Sequence, residues 1–168
     1  MRMILMIAGL LLCHFSSTAQ SKCIENFIEK YAEAAHVNSL NLNDWTLQLT
    51  SAFTKKSTGE RVKNKITRLR LLSSEQSELV SSAELQTFLN KLHKDHFEDL
   101  IEVRDKGSHI KFLLRENETH VTDIVMLVQG KENFVLLSLE GLFKLEDLVD
   151  WNVDIEGGEH LKQLADKV

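Results

Sequence analysis

The sequence predicts an α+β domain in which an antiparallel or mixed sheet of about five strands is packed by helices mainly on one face. Two segments carry apolar residues at helical spacing, and from residue 100 onward the pattern changes to the alternation of strands. The chain has 168 residues, and the part after residue 19 has the length of one compact domain. We therefore expect one domain over 20–153 and a polar C-terminal tail with a short helix over 154–168.

The first nineteen residues have the pattern of a cleavable secretory signal peptide. Arg2 precedes an apolar run over 3–12, and the small residues Ser17 and Ala19 lie three and one positions before Gln20. The apolar run covers about ten residues, whereas a membrane-spanning helix needs about twenty. The pattern predicts cleavage between Ala19 and Gln20, a periplasmic or secreted location, and no transmembrane anchor in the mature chain.

The mature chain is predicted to begin with an amphipathic helix over 23–35, where apolar residues face one side and charged residues the other. The next stretch, 36–42, alternates weakly and predicts a short strand. Asn43 then stands where an N-cap belongs, ahead of apolar residues at helical offsets, and we favour a second helix there. The same apolar residues equally fit a strand of period two; they are Trp45, Leu47, Leu49, Ala52 and Phe53.

A basic stretch over 55–70 includes the start of the next predicted strand, which covers 63–72. Leu69 and Leu71 alternate with Arg68 and Arg70, which predicts a half-buried strand with its arginines on a solvated outer face. No aromatic residues interleave with these charges, and the whole chain has 25 acidic against 20 basic residues. These features argue against nucleic acid as a partner, because phosphate binding needs a concentrated basic patch.

A further amphipathic helix is predicted after the serine-rich connection that follows. Ser81 or Ser82 can serve as its N-cap, and Glu84 suits the positive end of the helix dipole. We expect one apolar stripe along this helix: Leu85, Phe88, Leu89, Leu92 and His96.

Two hairpins are predicted in the second half of the chain, 100–104 with 109–115 and 121–129 with 134–139, each joined by a short connection that contains glycine. The run over 124–128 is apolar without alternation, which indicates a central strand covered on both faces. Residues 142–149 are predicted to form a short strand-to-helix ending.

The order and local sequence of these elements resemble an exported bacterial family, domain of unknown function 4252. The resemblance rests on six stretches: Ile66–Leu72, Leu85–Phe97, Asp105–Gly107, Val121–Gln129, Phe134–Gly141 and Leu145–Leu148. It implies a small envelope protein of Gram-negative bacteria without an established enzymatic activity, in a family some of whose members are encoded near regulators of extracytoplasmic transcription. Many relatives look like lipoproteins, whose signal has a small residue directly before the acylated cysteine. This chain departs from them, because Leu12 and Lys22 precede its two cysteines.

The best candidate for a chemical site is the acidic and histidine-rich stretch over 93–99. His93 and His96 are three residues apart and fit one helix face, and Glu98 or Asp99 follows closely enough to complete a divalent metal site if the helix ends there. The more ordinary interpretation is that His96 continues the apolar stripe, His93 favours the negative helix C-terminus and the acids are solvated.

Cys23 is the only thiol that remains after the predicted cleavage, so no disulfide can form within the mature chain. It is a candidate reactive thiol or intermolecular bridge, and the simpler interpretation is a partly buried residue at a helix start.

The function predicted from these features is a non-enzymatic binding or interaction module of the envelope, whose partner is an envelope protein or a small apolar ligand. No cofactor is expected. Two alternatives stay open: a metal-assisted hydrolase that uses His93 and His96, and an accessory or sensor factor in envelope stress signalling.

Overall fold

The computed structural model of the chain describes residues 22–43, 65–105 and 107–144. Several sequence-based predictions fall outside these described residues and stay predictions. They are the signal peptide with its cleavage site, the helix after Asn43, the end of the strand-to-helix segment from residue 145, and the tail over 154–168. The extent of the single domain, 20–153, also stays a prediction.

The described residues form two α-helices and six β-strands, which confirms the α+β class. The sheet has six strands rather than about five, because the weakly alternating stretch after residue 36 pairs along its full length. In chain order the elements are α1 (Lys22–Ala32), β1 (Val37–Asn43), β2 (Ile66–Ser74), α2 (Ser82–Lys94), β3 (Glu98–Asp105), β4 (Ser108–Glu116), β5 (Val121–Gln129) and β6 (Phe134–Phe143).

The six strands form one antiparallel sheet in the order β1-β2-β6-β5-β4-β3. The two hairpins predicted from the sequence are present as β3–β4 and β5–β6. β5 lies inside the sheet between β4 and β6, with six consecutive buried residues, as its unbroken apolar run predicts. β2 does not pair with the next strand in the chain; it pairs with β6, so that Leu72 lies opposite Leu136.

The main core lies between the two helices and one face of the sheet. Ile24, Ile28 and Tyr31 recur at helical spacing along α1 and are buried. They belong to the same buried cluster as Val125 and Leu136 of the sheet. The buried stripe of α2 joins this cluster too: Leu85, Phe88, Leu89 and Leu92. Phe27 of α1 stacks on Phe88 of α2 with ring centroids 4.1 Å apart, which connects the two helices directly.

The opposite face of the sheet carries two further apolar clusters. One contains Phe112 and Met126, and the other contains Ile124 and Leu139. Neither cluster includes a residue of α1 or α2. Within the described part of the chain the helices therefore pack on one face of the sheet, as predicted. Neither described helix is long and apolar enough to span a bilayer.

The prediction that His96 continues the apolar stripe of α2 is wrong. The helix ends at Lys94, and His96 is exposed with a φ of 64°. The amide of Phe97 donates to the carbonyl of Leu92, and the amide of His96 donates to that of His93, which is the hydrogen-bond pattern of a Schellman helix end. Phe97 and Leu92 both enter the core. His96 thus occupies the left-handed position, and Phe97 takes the buried place instead.

Candidate functional site

A row of charged side chains crosses the helix-bearing face of the sheet at the end where β1 stops and β2 begins. The strand register places Glu140 beside both Arg68 and Asp123, and Asp123 beside Arg115. Two residues further along β2, Arg70 shares this face and lies beside Ser138 of β6. We name these six residues the charged row: Arg68, Arg70, Arg115, Asp123, Ser138 and Glu140.

The Arg115–Asp123 pair forms one side of the charged row. The Nε and Nη2 atoms of Arg115 donate to Oδ2 of Asp123 at 2.9 and 2.6 Å. Both side chains are nearly buried, and the guanidinium lies over the ring of Phe97, 4.9 Å from its centroid. Because removing a charge from water costs several kcal/mol per ion, such a pair persists only when its hydrogen bonds are well formed.

The other side of the charged row is less well paired. Nη1 of Arg70 donates to Oε1 of Glu140 at 2.5 Å, and Arg68 shares the same carboxylate at 3.8 Å. Arg70 is only 1% exposed. Even so, among the described residues its Nε and Nη2 atoms have no hydrogen-bond partner, and the same holds for Nη1 of Arg115 and Oγ of Ser138. Unsatisfied buried polar atoms are uncommon in proteins and indicate a missing water or ion, or a functional role.

The burial of Arg70 corrects the prediction that the arginines of this strand lie on a solvated outer face. Leu72 follows two residues later on the same side of β2 and enters the core beneath the helices, so Arg70 is carried toward the same interior. The sequence itself contains one signal for this site. Asp123 directly precedes the apolar run 124–128 of β5, and a buried acid there needs a basic partner on a neighbouring strand.

The structure brings together two of the three predicted metal ligands. Nε2 of His93 lies 3.0 Å from Oδ1 of Asp99, and Nζ of Lys111 lies 3.1 Å from Oδ2 of the same carboxylate. His96 lies beyond the helix end described above. Among the described residues, no three His, Cys, Asp or Glu side chains are arranged to hold a metal ion. The metal site, and the hydrolase built on it, stay predictions.

The His93–Asp99 contact belongs to an ion-pair network on β3 and β4. Glu102 accepts hydrogen bonds from Lys111 and Arg104 and pairs with His109, and these partners lower its pKa to about 2. Burial raises the pKa of Asp99, but hydrogen bonds from His93 and Lys111 outweigh that effect and lower it. Both carboxylates are therefore ionised at neutral pH and already paired with cations.

The two edges of the sheet differ in chemistry. β3 carries charged side chains along its length, and its register shifts between Asp99 and Ile101. β1 has seven residues, none of them charged and none proline, and it pairs with β2 in an unbroken register. Its middle residues are exposed, including Leu40 at 43%. Charge and irregular register protect an edge strand from pairing with other chains, and β1 has neither protection.

A groove of about 400 Å³ lies between the two helices, and Cys23, Tyr31 and Lys91 contribute to its lining. Cys23 is half-buried there and packs against the core cluster. Burial raises the pKa of its thiol, and the nearby Asp95 adds to this effect. The thiol is protonated at neutral pH, which agrees with the simpler interpretation of this residue.

A second cleft of about 580 Å³ opens between the start of α2 and the β3–β4 and β5–β6 turns, with Ser81, His109 and Lys131 in its lining. Gly107 forms part of this lining with a φ of 92°, and a Cβ there would lie 2.4 Å from Cε of Lys131. The backbone conformation requires glycine at this turn, whereas the flexible Lys131 side chain can move away from a Cβ.

The described residues define a small α+β domain with a six-stranded antiparallel sheet, two helices on one face, a largely buried charged row and an uncharged edge strand, β1. The sequence model of the family described as Domain of unknown function (DUF4252) matches residues 31–151, and the chain belongs to this family. The match begins well before Ile66 and includes β1. No curated protein and no solved structure matches the chain.

Proposed function

We propose that this protein is an exported, non-enzymatic interaction module of the bacterial cell envelope, which binds an extended segment of a partner protein along the open edge of β1. The observation that carries the proposal is the exposed, uncharged β1 edge. The signal-peptide pattern of residues 1–19 supports the export component, since the small residues before Gln20 fit a cleavage site.

An open edge strand is a ready binding site for another strand. Alternate residues of β1 direct backbone N–H and C=O groups away from β2, and an extended segment satisfies them by continuing the sheet. Backbone hydrogen bonds of this kind supply affinity without a requirement for particular side chains in the partner.

The side chains of β1 supply the selectivity. Asn38, Leu40 and Leu42 lie on the same face of β1 as Leu69 and Leu71 of the neighbouring strand. An incoming strand places its alternate side chains beside them, and Leu40 offers apolar surface for one such residue. We therefore expect a partner segment with an apolar side chain opposite Leu40 and no charged residue next to it.

The opposite edge provides a matched control within the same molecule. Leu100 on β3 has the same 43% exposure as Leu40, but its strand carries Glu98, Asp99 and Glu102 nearby and the register is irregular there. If the exposure of a leucine alone determined binding, both edges would bind a partner equally well. Strand addition predicts that only β1 binds.

The test uses the full-length protein with a C-terminal tag, expressed in its own cells. A photoreactive amino acid placed at residue 40 is expected to cross-link one other envelope protein, whereas the same group at residue 100 is not. Leu40→Lys is expected to abolish recovery of that partner, and Leu100→Lys to preserve it. Equal cross-linking from both edges, or a cross-link from residue 40 only to a second copy of this chain, overturns binding of a partner protein at β1.

The export component has its own test. N-terminal sequencing of the protein from a periplasmic or extracellular fraction is expected to begin at Gln20. Recovery of a cytoplasmic product that retains Met1 overturns the envelope location without affecting the β1 edge.

A further inference from the structure

We propose that the face of the sheet opposite the helices is the docking surface for residues 145–153 of the same chain. We name it the second face, and it contains the buried residues Phe112, Ile124, Met126 and Leu139. The proposal does not depend on the proposed function.

The second face is apolar across the whole sheet. One row of directly opposed residues crosses all six strands: Ile101, Phe112, Met126, Leu137, Leu71 and Leu40. No charged residue interrupts this row. Because a sheet buries an apolar face by packing another layer on it, the row predicts such a layer over the second face.

The centre of the second face is more deeply buried than the sheet itself can explain. Phe112 is 2% exposed and Met126 is 3% exposed. Side chains stand roughly perpendicular to a sheet, so their neighbours shield their sides but not their ends. The two clusters on this face contain strand residues and none from α1 or α2, so no described helix supplies the layer above them. A segment outside the described residues therefore lies there.

The gradient of burial across the row identifies the segment. Met126 is 3% exposed, Leu71 is half-buried and Leu40 is 43% exposed. Residues 44–64 leave the sheet at β1 and return at β2, so a layer built from them would bury the β1 and β2 side of the row most deeply. The observed order is the reverse. Residues 1–21 precede α1, which packs on the other face.

Residues 145–153 begin at the place from which the second face can be covered. β6 ends at Phe143, which is fully buried in the same cluster as Ile124 and Leu139. The chain therefore leaves the sheet beside the second face. The family match continues through residue 151, so the start of this segment belongs to the domain that the family shares.

The sequence of this segment fits an apolar surface. Five apolar residues fall on one side of a helix drawn through it: Leu145, Leu148, Val149, Trp151 and Val153. The acidic residues of the segment fall on the other side. A helix of nine residues is about 13 Å long, which matches the length of about 13 Å from Ile124 to Val128 along β5.

The first experiment places a photoreactive amino acid at residue 148 of the full chain. After irradiation, mass spectrometry of the digested monomer is expected to find it joined to residues 110–114 or 124–128. The same group at residue 147, on the acidic side, is the matched control and is expected not to join these peptides. Cross-links from residue 148 to α1, to residues 44–64 or to a second copy of the chain overturn the proposal, and so does the absence of any cross-link.

The second experiment measures how well the second face is protected. Cys13→Ser and Cys23→Ser remove the native thiols, and Met126→Cys then introduces a single thiol on this face. Leu148→Glu places a charge in the proposed contact, so it is expected to raise the rate of maleimide labelling at residue 126 at least about tenfold. Leu47→Glu is the control and is expected to leave this rate unchanged.

A thiol on the opposite side of the same strand separates local exposure from unfolding. Val125→Cys reports on the core beneath the helices, and its labelling is expected to stay slow when Leu148→Glu is present. A labelling rate at residue 126 that Leu148→Glu does not change overturns the proposal. If Leu148→Glu exposes residue 125 as well, the variant has unfolded, and the cross-links from residue 148 decide.

Discussion

Asp123 and Glu140 lie directly opposite each other on β5 and β6. Each carboxylate accepts a hydrogen bond from an arginine on the neighbouring strand, Arg115 on β4 and Arg70 on β2. Like charges in opposite positions destabilise a sheet pair. Here Arg115 and Arg70 compensate the two acids, so the four side chains depend on one another across four strands. We expect changes within this group to be non-additive.

The Asp123→Asn substitution is expected to destabilise the fold by about 3 kcal/mol, because it leaves the nearly buried Arg115 guanidinium without its counter-charge. Urea unfolding at neutral pH measures the effect. Glu116→Gln, an exposed change on β4, is the control and is expected to stay within about 0.5 kcal/mol of the wild type. Equal effects of the two substitutions would show that the Arg115–Asp123 pair contributes no stability.

The Ser81→Ala substitution is expected to cost about 1 kcal/mol, because Oγ of Ser81 caps α2. This oxygen accepts a hydrogen bond from the amide of Glu84 and donates one to the carboxylate of the same residue. Ser82→Ala, one position inside the helix, is the matched control and is expected to be near neutral. A larger loss for Ser82→Ala than for Ser81→Ala would place the cap one residue later.

The His96→Gly substitution is expected to stabilise the protein by about 0.5–1 kcal/mol, because His96 has a φ of 64° at the end of α2 and glycine adopts this conformation without steric cost. Thermal unfolding measures the change as a higher Tm. Lys94→Gly, within the last helical turn, is expected to lower the Tm instead. A lower Tm for His96→Gly would mean that the imidazole makes a stabilising contact.

Acid should remove the contribution of Glu102 to stability within a defined pH range. Its pKa falls from the ordinary 4.5 to about 2 in the folded state, so the folded protein binds fewer protons than the unfolded chain between these values. The contribution is therefore full above pH 4.5 and is lost as the pH falls toward 2. The difference in urea midpoint between the wild type and Glu102→Gln should shrink over this range.

Salt provides the control for the Glu102 prediction. The network is exposed to solvent, so 1 M NaCl is expected to reduce the wild-type advantage at neutral pH. A midpoint difference that persists unchanged at pH 2 would assign the effect of Glu102→Gln to lost packing rather than to charge.

Sequence patterns predicted the elements whose burial follows a simple period. The apolar residues Ile24, Ile28 and Tyr31 identify the buried side of α1, and the unbroken apolar run of β5 indicates its central place. Both patterns reflect local geometry, because the helical and strand periods determine which residues share a side.

The charged row could not be predicted in the same way, because it depends on pairing between distant segments. The alternation around Arg70 shows that its side chain lies on the opposite face of the strand from Leu71. It does not show which of these two faces the helices cover. Its partners come from β6, and that neighbour is set by the β2–β6 crossover. The helix end at His96 was also missed, since a non-glycine residue in left-handed conformation leaves no periodic signal.

The β2–β6 pairing joins strands that are far apart in the sequence, whereas the other strands of this half of the sheet pair with sequence neighbours. Strands β3, β4 and β5 each pair with the next strand in sequence and form a meander with β6, whereas β2 must meet β6 after the whole meander has been synthesised. Closing that long loop carries the larger entropic cost, so we expect the meander to assemble first and β2 to dock last. The chain contains no proline, and no prolyl isomerisation can therefore delay the final docking.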